Sequence, residues 1–123
     1  MAKKILFIED ESALQKTFGD FLGKEGFELI SALDGETGLK LAEKEAPDLI
    51  LLDLILPKME GVEVLKKLRE NPKTKDIPVI VLTNVEDFEK LEKTLELGIK
   101  AYLVKTDFTL EEVLQKIKGE LKE

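Results

Sequence analysis

Three uninterrupted apolar runs constrain this chain more than any other feature: Ile5-Leu6-Phe7-Ile8, Leu49-Ile50-Leu51-Leu52 and Val79-Ile80-Val81-Leu82. A half-buried strand alternates apolar and polar residues, whereas a short run rich in branched residues and without alternation reads as a strand covered on both faces. Such strands belong to parallel sheets with helices on either side. Phe27 to Ala32 and Lys100 to Val104 mix polar residues into strand-like sequence and suit the edges of the same sheet, where one side stays near water.

Between the strands the apolar period lengthens to that of a helix. Leu14, Phe18, Phe21 and Leu22 mark the buried face of a first helix, with Ser12 and Gln15 spaced as a capping box and Gly26 at its exit. A second helix fits between Asp34 and Pro47. A third, from about Gly61 to Asn71, turns Val62, Leu65 and Leu68 inward and is stopped by Pro72. The fourth is predicted to bury Phe88, Leu91 and Leu95, to carry Glu86/Lys90 and Glu89/Lys93 pairs on its wet face, and to be capped by Asn84 with Asp87 at N3. The fifth carries Leu110, Val113, Leu114, Ile117 and Leu121 behind a Thr109/Glu112 capping box.

Strand and helix alternate five times with short connections, no repeat and no linker. The expected fold is α/β: one domain over residues 1–123, a (βα)5 doubly wound five-stranded parallel sheet of flavodoxin-like strand order 2-1-3-4-5. In such a sheet the functional crevice lies at the carboxyl ends of the strands, where the first and third part company.

Composition narrows the chemistry available there. The 123 residues include no cysteine and no histidine, so thiolate and imidazole sites are excluded and any metal must take oxygen ligands, which favours a hard cation. A formal net charge of −7 disfavours nucleic acid and anionic membranes and favours protein partners. The apolar run at the N-terminus is far too short for a signal-peptide core or a membrane span, which makes the cytoplasm the expected compartment.

The residues that follow the strands form a polar set: Glu9, Asp10 and Glu11 after the first, Asp53 after the third, Thr83 after the fourth, Lys105 after the fifth. Taken singly, each has an ordinary reading as a helix cap or strand-end residue. Taken together, the gathered carboxylates call for a divalent cation to keep them ionised. The lysine and the hydroxyl are left over from a pure metal site and suit the oxygens of a phosphoryl group.

The whole chain resembles the receiver domain of response regulators. Ile5-Leu6-Phe7-Ile8-Glu9-Asp10-Glu11 is similar to the family's acidic start, and Asp53-Leu54-Ile55-Leu56-Pro57-Lys58-Met59-Glu60-Gly61 to its phosphoacceptor segment. Thr83 falls on the family's signalling hydroxyl, Tyr102 on its switch aromatic and Lys105 on its lysine. The resemblance implies that Asp53 accepts a phosphoryl group from the phosphohistidine of a sensor histidine kinase or a histidine phosphotransfer protein. It implies magnesium, with manganese as a substitute, held by Glu9 or Asp10, Asp53 and the backbone carbonyl of Ile55. Thr83 would then move onto the phosphoryl group and let Tyr102 turn inward, changing the face made by the fourth helix, fifth strand and fifth helix. A downstream protein target would read that change, with the receiver a monomer or a phosphorylation-dependent dimer.

The resemblance implies a phosphoprotein rather than a turnover enzyme; the length adds the expectation of a stand-alone module in which the fifth helix closes the chain, and the charge that of no direct contact to nucleic acid or membrane. The alternative is a degenerate receiver acting as a constitutive interaction module. An aspartyl-phosphate phosphatase would want a second acid at Ile55, and a flavin-binding relative would want a Ser/Thr/Gly-rich loop after the first strand.

Two positions depart from the family pattern. Thr106 stands where a proline usually follows the lysine, and a cis bond before a non-proline residue costs about 2.5–4 kcal/mol, so Lys105-Thr106 is expected to be trans and its loop rerouted. Asn84 replaces a small residue beside Thr83 and would narrow the approach to Asp53. Ile55 and Val85 offer nothing to orient an attacking water, so slow phosphate loss is expected.

Overall fold

The computed structural model describes residues 2–122. Five strands alternate with five helices: β1 (Lys4–Ile8), α1 (Ser12–Lys24), β2 (Glu28–Ala32), α2 (Gly35–Glu45), β3 (Leu49–Leu52), α3 (Gly61–Glu70), β4 (Val79–Thr83), α4 (Phe88–Glu96), β5 (Ala101–Val104) and α5 (Leu110–Leu121). All four strand pairings are parallel, in the order β2-β1-β3-β4-β5. Fold class and strand order are those read from the sequence.

The three apolar runs owe their lack of alternation to two separate cores. Ile5, Phe7, Leu49, Leu51, Ile80 and Leu82 pack with Phe18 and Leu22 of α1 and Val113, Leu114 and Ile117 of α5. The alternate residues Leu6, Ile8, Ile50, Leu52, Val79 and Val81 pack with Ala42 of α2 and Val64, Leu65 and Leu68 of α3. Every residue of the three runs is at most 2% exposed. The register aligns the strand ends, pairing Ile8 with both Ala32 and Leu52, and Thr83 with Val104. The residues just beyond them therefore share one edge of the sheet.

Helix caps follow the sequence at α2, where Asp34 accepts from the Thr37 N–H at 2.8 Å, and at α5, where Thr109 and Glu112 form the full capping box. They depart from it at α1. The N-cap position there is Glu11, without a side-chain cap, and Gln15 turns into the protein instead of back to the helix start.

Helix α4 departs further. Asp87, not Asn84, caps it, accepting from the N–H groups of Glu89 and Lys90. Asn84 sits directly after β4, and the chain needs the residues from Asn84 to Asp87 to leave the sheet before it can turn. Phe88 and Leu95 are 70% and 58% exposed, Leu91 is half-buried, and Thr94 is the buried residue of the helix. Neither the Glu86/Lys90 nor the Glu89/Lys93 pair forms among the described residues; Lys90 reaches Glu60 at the start of α3 instead, at 3.2 Å. At α3 the buried set is Val64, Leu65 and Leu68, with Val62 only partly covered. Among the described residues, no helix is long and apolar enough to cross a membrane.

Candidate functional site

Asp53 follows β3 and is 4% exposed. Each of its carboxylate oxygens has its own donors. Oδ1 accepts from the Thr83 hydroxyl at 2.7 Å and from the Ile55 N–H at 3.2 Å, and Oδ2 accepts from the Lys105 ammonium at 2.8 Å. Lys105 also donates to Glu9 Oε1. Four strand ends thus converge on one carboxylate, as their common edge of the sheet requires.

Gly61 sets how closely the loop after β3 can fold back. Its N–H donates to the Leu54 carbonyl at 3.0 Å, and a Cβ there would lie 2.4 Å from the Asp53 carbonyl oxygen and 2.5 Å from the Leu54 Cα. Both neighbours are backbone, so only glycine allows α3 to start against the segment that carries Asp53. Ile55 lies on the same loop, 59% exposed, at the mouth of the site.

Glu9, Asp10 and Asp53 each offer a carboxylate oxygen, and these lie within 4.8 Å of one another; Glu9 and Asp53 are buried and Asp10 is exposed. Burial, reinforced by the charge of Asp53 and opposed by the hydrogen bond from Lys105, pushes the Glu9 carboxyl up to about 7. Burial works against the Lys105 charge, but its hydrogen bonds to Asp53 and Glu9 outweigh that and hold the ammonium above the ordinary lysine range. One cation thus serves two buried acids, and the second acid is under pressure to hold a proton. An all-oxygen, anionic cluster of this kind fits a hard divalent cation.

Lys105 arrives through a short 3-10 turn, Lys105–Asp107, and among the described residues no peptide bond is cis. The trans Lys105-Thr106 bond expected from the missing proline is what the structure has, and the ammonium reaches Asp53 nonetheless.

Beyond Thr83 the hydrogen bonds continue. The Val85 N–H donates to the Thr83 hydroxyl oxygen at 3.3 Å, and Tyr102 on β5 donates its hydroxyl hydrogen to the Val85 carbonyl at 2.5 Å. Burial, then the charges of Asp87, Asp53 and Glu86, raise the Tyr102 phenol above its ordinary value and keep it a donor. Val85 was legible in the sequence only as an apolar neighbour; its backbone carries the link.

Gln15 has the spacing of a capping-box residue but is a buried constituent of this region, donating to the carbonyls of Phe7, Glu9 and Ala32. The signal was present: Gln15, Phe18 and Leu22 fall on one helix face and form the buried set of α1. A polar residue in that register has to find polar partners inside.

A family profile described as the response regulator receiver domain matches residues 5–118. The chain belongs to the response regulator receiver family. It is 42% identical over 123 residues to the alkaline phosphatase synthesis transcriptional regulatory protein PhoP of Bacillus subtilis, covering 99% of this chain and 50% of that protein. The crystal structure of a CheY-like response regulator receiver domain protein from Methanospirillum hungatei JF-1 superposes with a TM-score of 0.93 at 31% identity, covering 99% of this chain and 95% of that one. The Mn(2+)-bound form of response regulator Rcp1 gives a TM-score of 0.82 at 34% identity, over 95% of this receiver and 92% of that chain. The receiver spans about half the length of PhoP and of several other curated relatives it matches.

Proposed function

We propose that this receiver takes a phosphoryl group onto Asp53 from a phosphohistidine of a sensor histidine kinase or phosphotransfer protein. The observation that carries the reading is the enclosure of one buried carboxylate by a hydroxyl, an ammonium and two further acids drawn from four strand ends. An Asp53 oxygen attacks phosphorus, a P–O bond forms, and the P–N bond to the donor imidazole breaks, with the imidazole leaving. Lys105 and Thr83 are placed to donate to the transferring oxygens, and positioning with charge stabilisation is most of what this transfer needs. Asp53 is consumed until the acyl phosphate is hydrolysed, which makes the protein a phosphoacceptor rather than a turnover enzyme.

Glu9, Asp10, Asp53 and the backbone carbonyl of Ile55 are the ligands we assign to magnesium, with manganese as its substitute. A bound divalent cation supplies neutralisation of the charge on the phosphoryl oxygens. The manganese-bound relative supports the choice of ion.

Output is assigned to the face of α4, β5 and α5. Phe88 and Leu95 lie seven residues apart and exposed on α4, and Phe88, Leu91, Tyr102 and Val104 line an adjoining shallow pocket. That apolar stripe suits a protein partner or a second receiver. It also suits a domain carried on the same polypeptide, as the greater length of PhoP allows. A phosphoryl donor of this kind supports a cytoplasmic location.

The deciding experiment is incubation with acetyl phosphate and magnesium, followed by intact-mass measurement. One phosphoryl adduct on the wild type, absent from Asp53→Asn, is expected. No adduct on the wild type would favour a constitutive interaction module.

A further inference from the structure

We infer that Gln15 is a positioning residue that holds the Glu9/Asp10 corner of the acidic site in shape for a divalent cation; the inference rests on the phosphoacceptor reading above. Gln15 sits in the first turns of α1, 6% exposed, and its Nε2 donates to the carbonyls of Phe7 at 2.8 Å, Glu9 at 3.1 Å and Ala32 at 3.2 Å. An amide nitrogen carries two hydrogens, so three acceptors already exceed what it can fully serve.

The acceptors are not scattered. The Glu9 carbonyl belongs to the peptide that joins Glu9 to Asp10, and that unit is planar, so fixing its oxygen orients both acid-bearing residues. The Ala32 carbonyl also accepts from the Glu9 N–H at 3.0 Å, so Gln15 and Glu9 share an acceptor and the Glu9 backbone is held on both sides. The Glu9 side chain, 1% exposed, then faces Lys105 and Asp53. Among the described residues Gln15 makes no hydrogen bond to the carboxylates of Glu9, Asp10 or Asp53, and acts through the Glu9 backbone.

The arrangement has a cost that marks it as more than packing. Gln15 Oε1 is buried and has no hydrogen-bond partner among the described residues. A buried acceptor without a protein donor is costly, and the three contacts made by Nε2 are what offset that cost. Groups that orient metal ligands without touching the metal are worth about 10–100-fold in affinity where they have been removed.

The test uses Gln15→Met and Gln15→Leu, both near glutamine in size, both helix-forming and neither able to donate. Manganese affinity is measured from the electron paramagnetic resonance signal of the free ion, and the unfolding midpoint is measured in EDTA. Weakening of about tenfold or more in both variants is expected in chains still folded in EDTA under the conditions of the titration, with a lowered metal-free midpoint because the carbonyls of Phe7, Glu9 and Ala32 lose a donor. Unchanged affinity, whatever the midpoint, overturns the inference and leaves Gln15 as a fastening between α1 and the sheet. If neither variant folds, the Gln15 side-chain amide hydrogens of the wild type are followed by NMR during magnesium addition. They should shift together with the Glu9 and Asp10 backbone amides, and shifts of the latter alone overturn it. A wild type that neither binds manganese nor accepts phosphate from acetyl phosphate would instead remove the underlying reading.

Discussion

The Thr83 hydroxyl donates to Oδ1 of Asp53 at 2.7 Å in the unmodified protein, joining β4 to the phosphoacceptor strand before any phosphoryl group is present. The family resemblance implies that this hydroxyl moves onto the phosphoryl group and lets Tyr102 turn inward. Here Tyr102 already holds the Val85 carbonyl. A continuous path thus runs from Asp53 through Thr83 and Val85 to β5. A phosphoryl group would replace one acceptor of the Thr83 hydroxyl with a stronger one, so phosphorylation would stabilise an arrangement the chain can already adopt, which is a population shift.

Tyr102 is the single tyrosine of a chain without tryptophan, so its emission reports this path alone. Acetyl phosphate with magnesium should change wild-type tyrosine fluorescence. Thr83→Ala should still acquire phosphate on Asp53 while losing most of the fluorescence response, and should lose about 1 kcal/mol of stability with the hydrogen bond. A full response in the variant would remove Thr83 from the path.

Among the described residues Lys105 is the one cation paired with the two buried acids, with 20% of its side chain exposed. Lys105→Met leaves Glu9 and Asp53 facing each other. Breaking a buried pair from one side costs about 3–5 kcal/mol, and the partial exposure of Lys105 puts the expected loss toward about 2–3 kcal/mol by urea unfolding in EDTA at pH 8. Protonation of Glu9 relieves the repulsion, so the loss should shrink at pH 5. Magnesium should also recover part of it at pH 8. A loss independent of both pH and magnesium would refute this account.

Legibility in the sequence divides along how much a residue is asked to bury. The strands declared themselves because Ile5 to Ile8, Leu49 to Leu52 and Val79 to Leu82 each serve two cores at once, and short branched runs bounded by turn residues suit a strand covered on both faces. Their order then placed Glu9, Asp53, Thr83 and Lys105 on one edge. Helix α4 was misread because it buries so little: Phe88, Leu91 and Leu95 define a face, but periodicity cannot say whether that face meets the core or solvent. Gln15 was misread because a capping box and an inward polar residue share the same spacing, and only the three waiting carbonyls decide between them.

The Glu9 carboxyl, pushed up from its ordinary 4.5 to about 7 chiefly by burial, makes stability depend on pH with a definite sign. Between those values the folded chain keeps a proton that the unfolded chain has released. The contribution of Glu9 is therefore full below about 4.5 and is lost as pH rises through about 7, at up to about 1.4 kcal/mol per pH unit. In EDTA, Glu9→Gln should remove that fall, so the difference between variant and wild type should grow in favour of the variant from pH 5 to pH 8. Parallel stability curves across this range would show that Glu9 is ionised throughout.

Gly61 and Gly119 give opposite expectations for the same substitution. In Gly61→Ala the new methyl would meet the Asp53 carbonyl oxygen and the Leu54 Cα at 2.4 and 2.5 Å. Neither atom can swing aside as a side-chain tip would, so either α3 or the loop carrying Asp53 must shift. Overpacking of this kind costs about 1–3 kcal/mol, and because the displaced backbone carries the phosphoacceptor, the initial rate of acetyl phosphate labelling should fall with it. In Gly119→Ala the methyl meets nothing within 4 Å, on a helical turn of α5. There the gain in helix propensity of about 0.5–1 kcal/mol should appear, with labelling unchanged. Urea midpoints and labelling rates measured side by side separate a positional demand at Gly61 from a general intolerance of alanine. Equal effects at the two sites would mean that the close approach of Gly61 to Asp53 does not control the site.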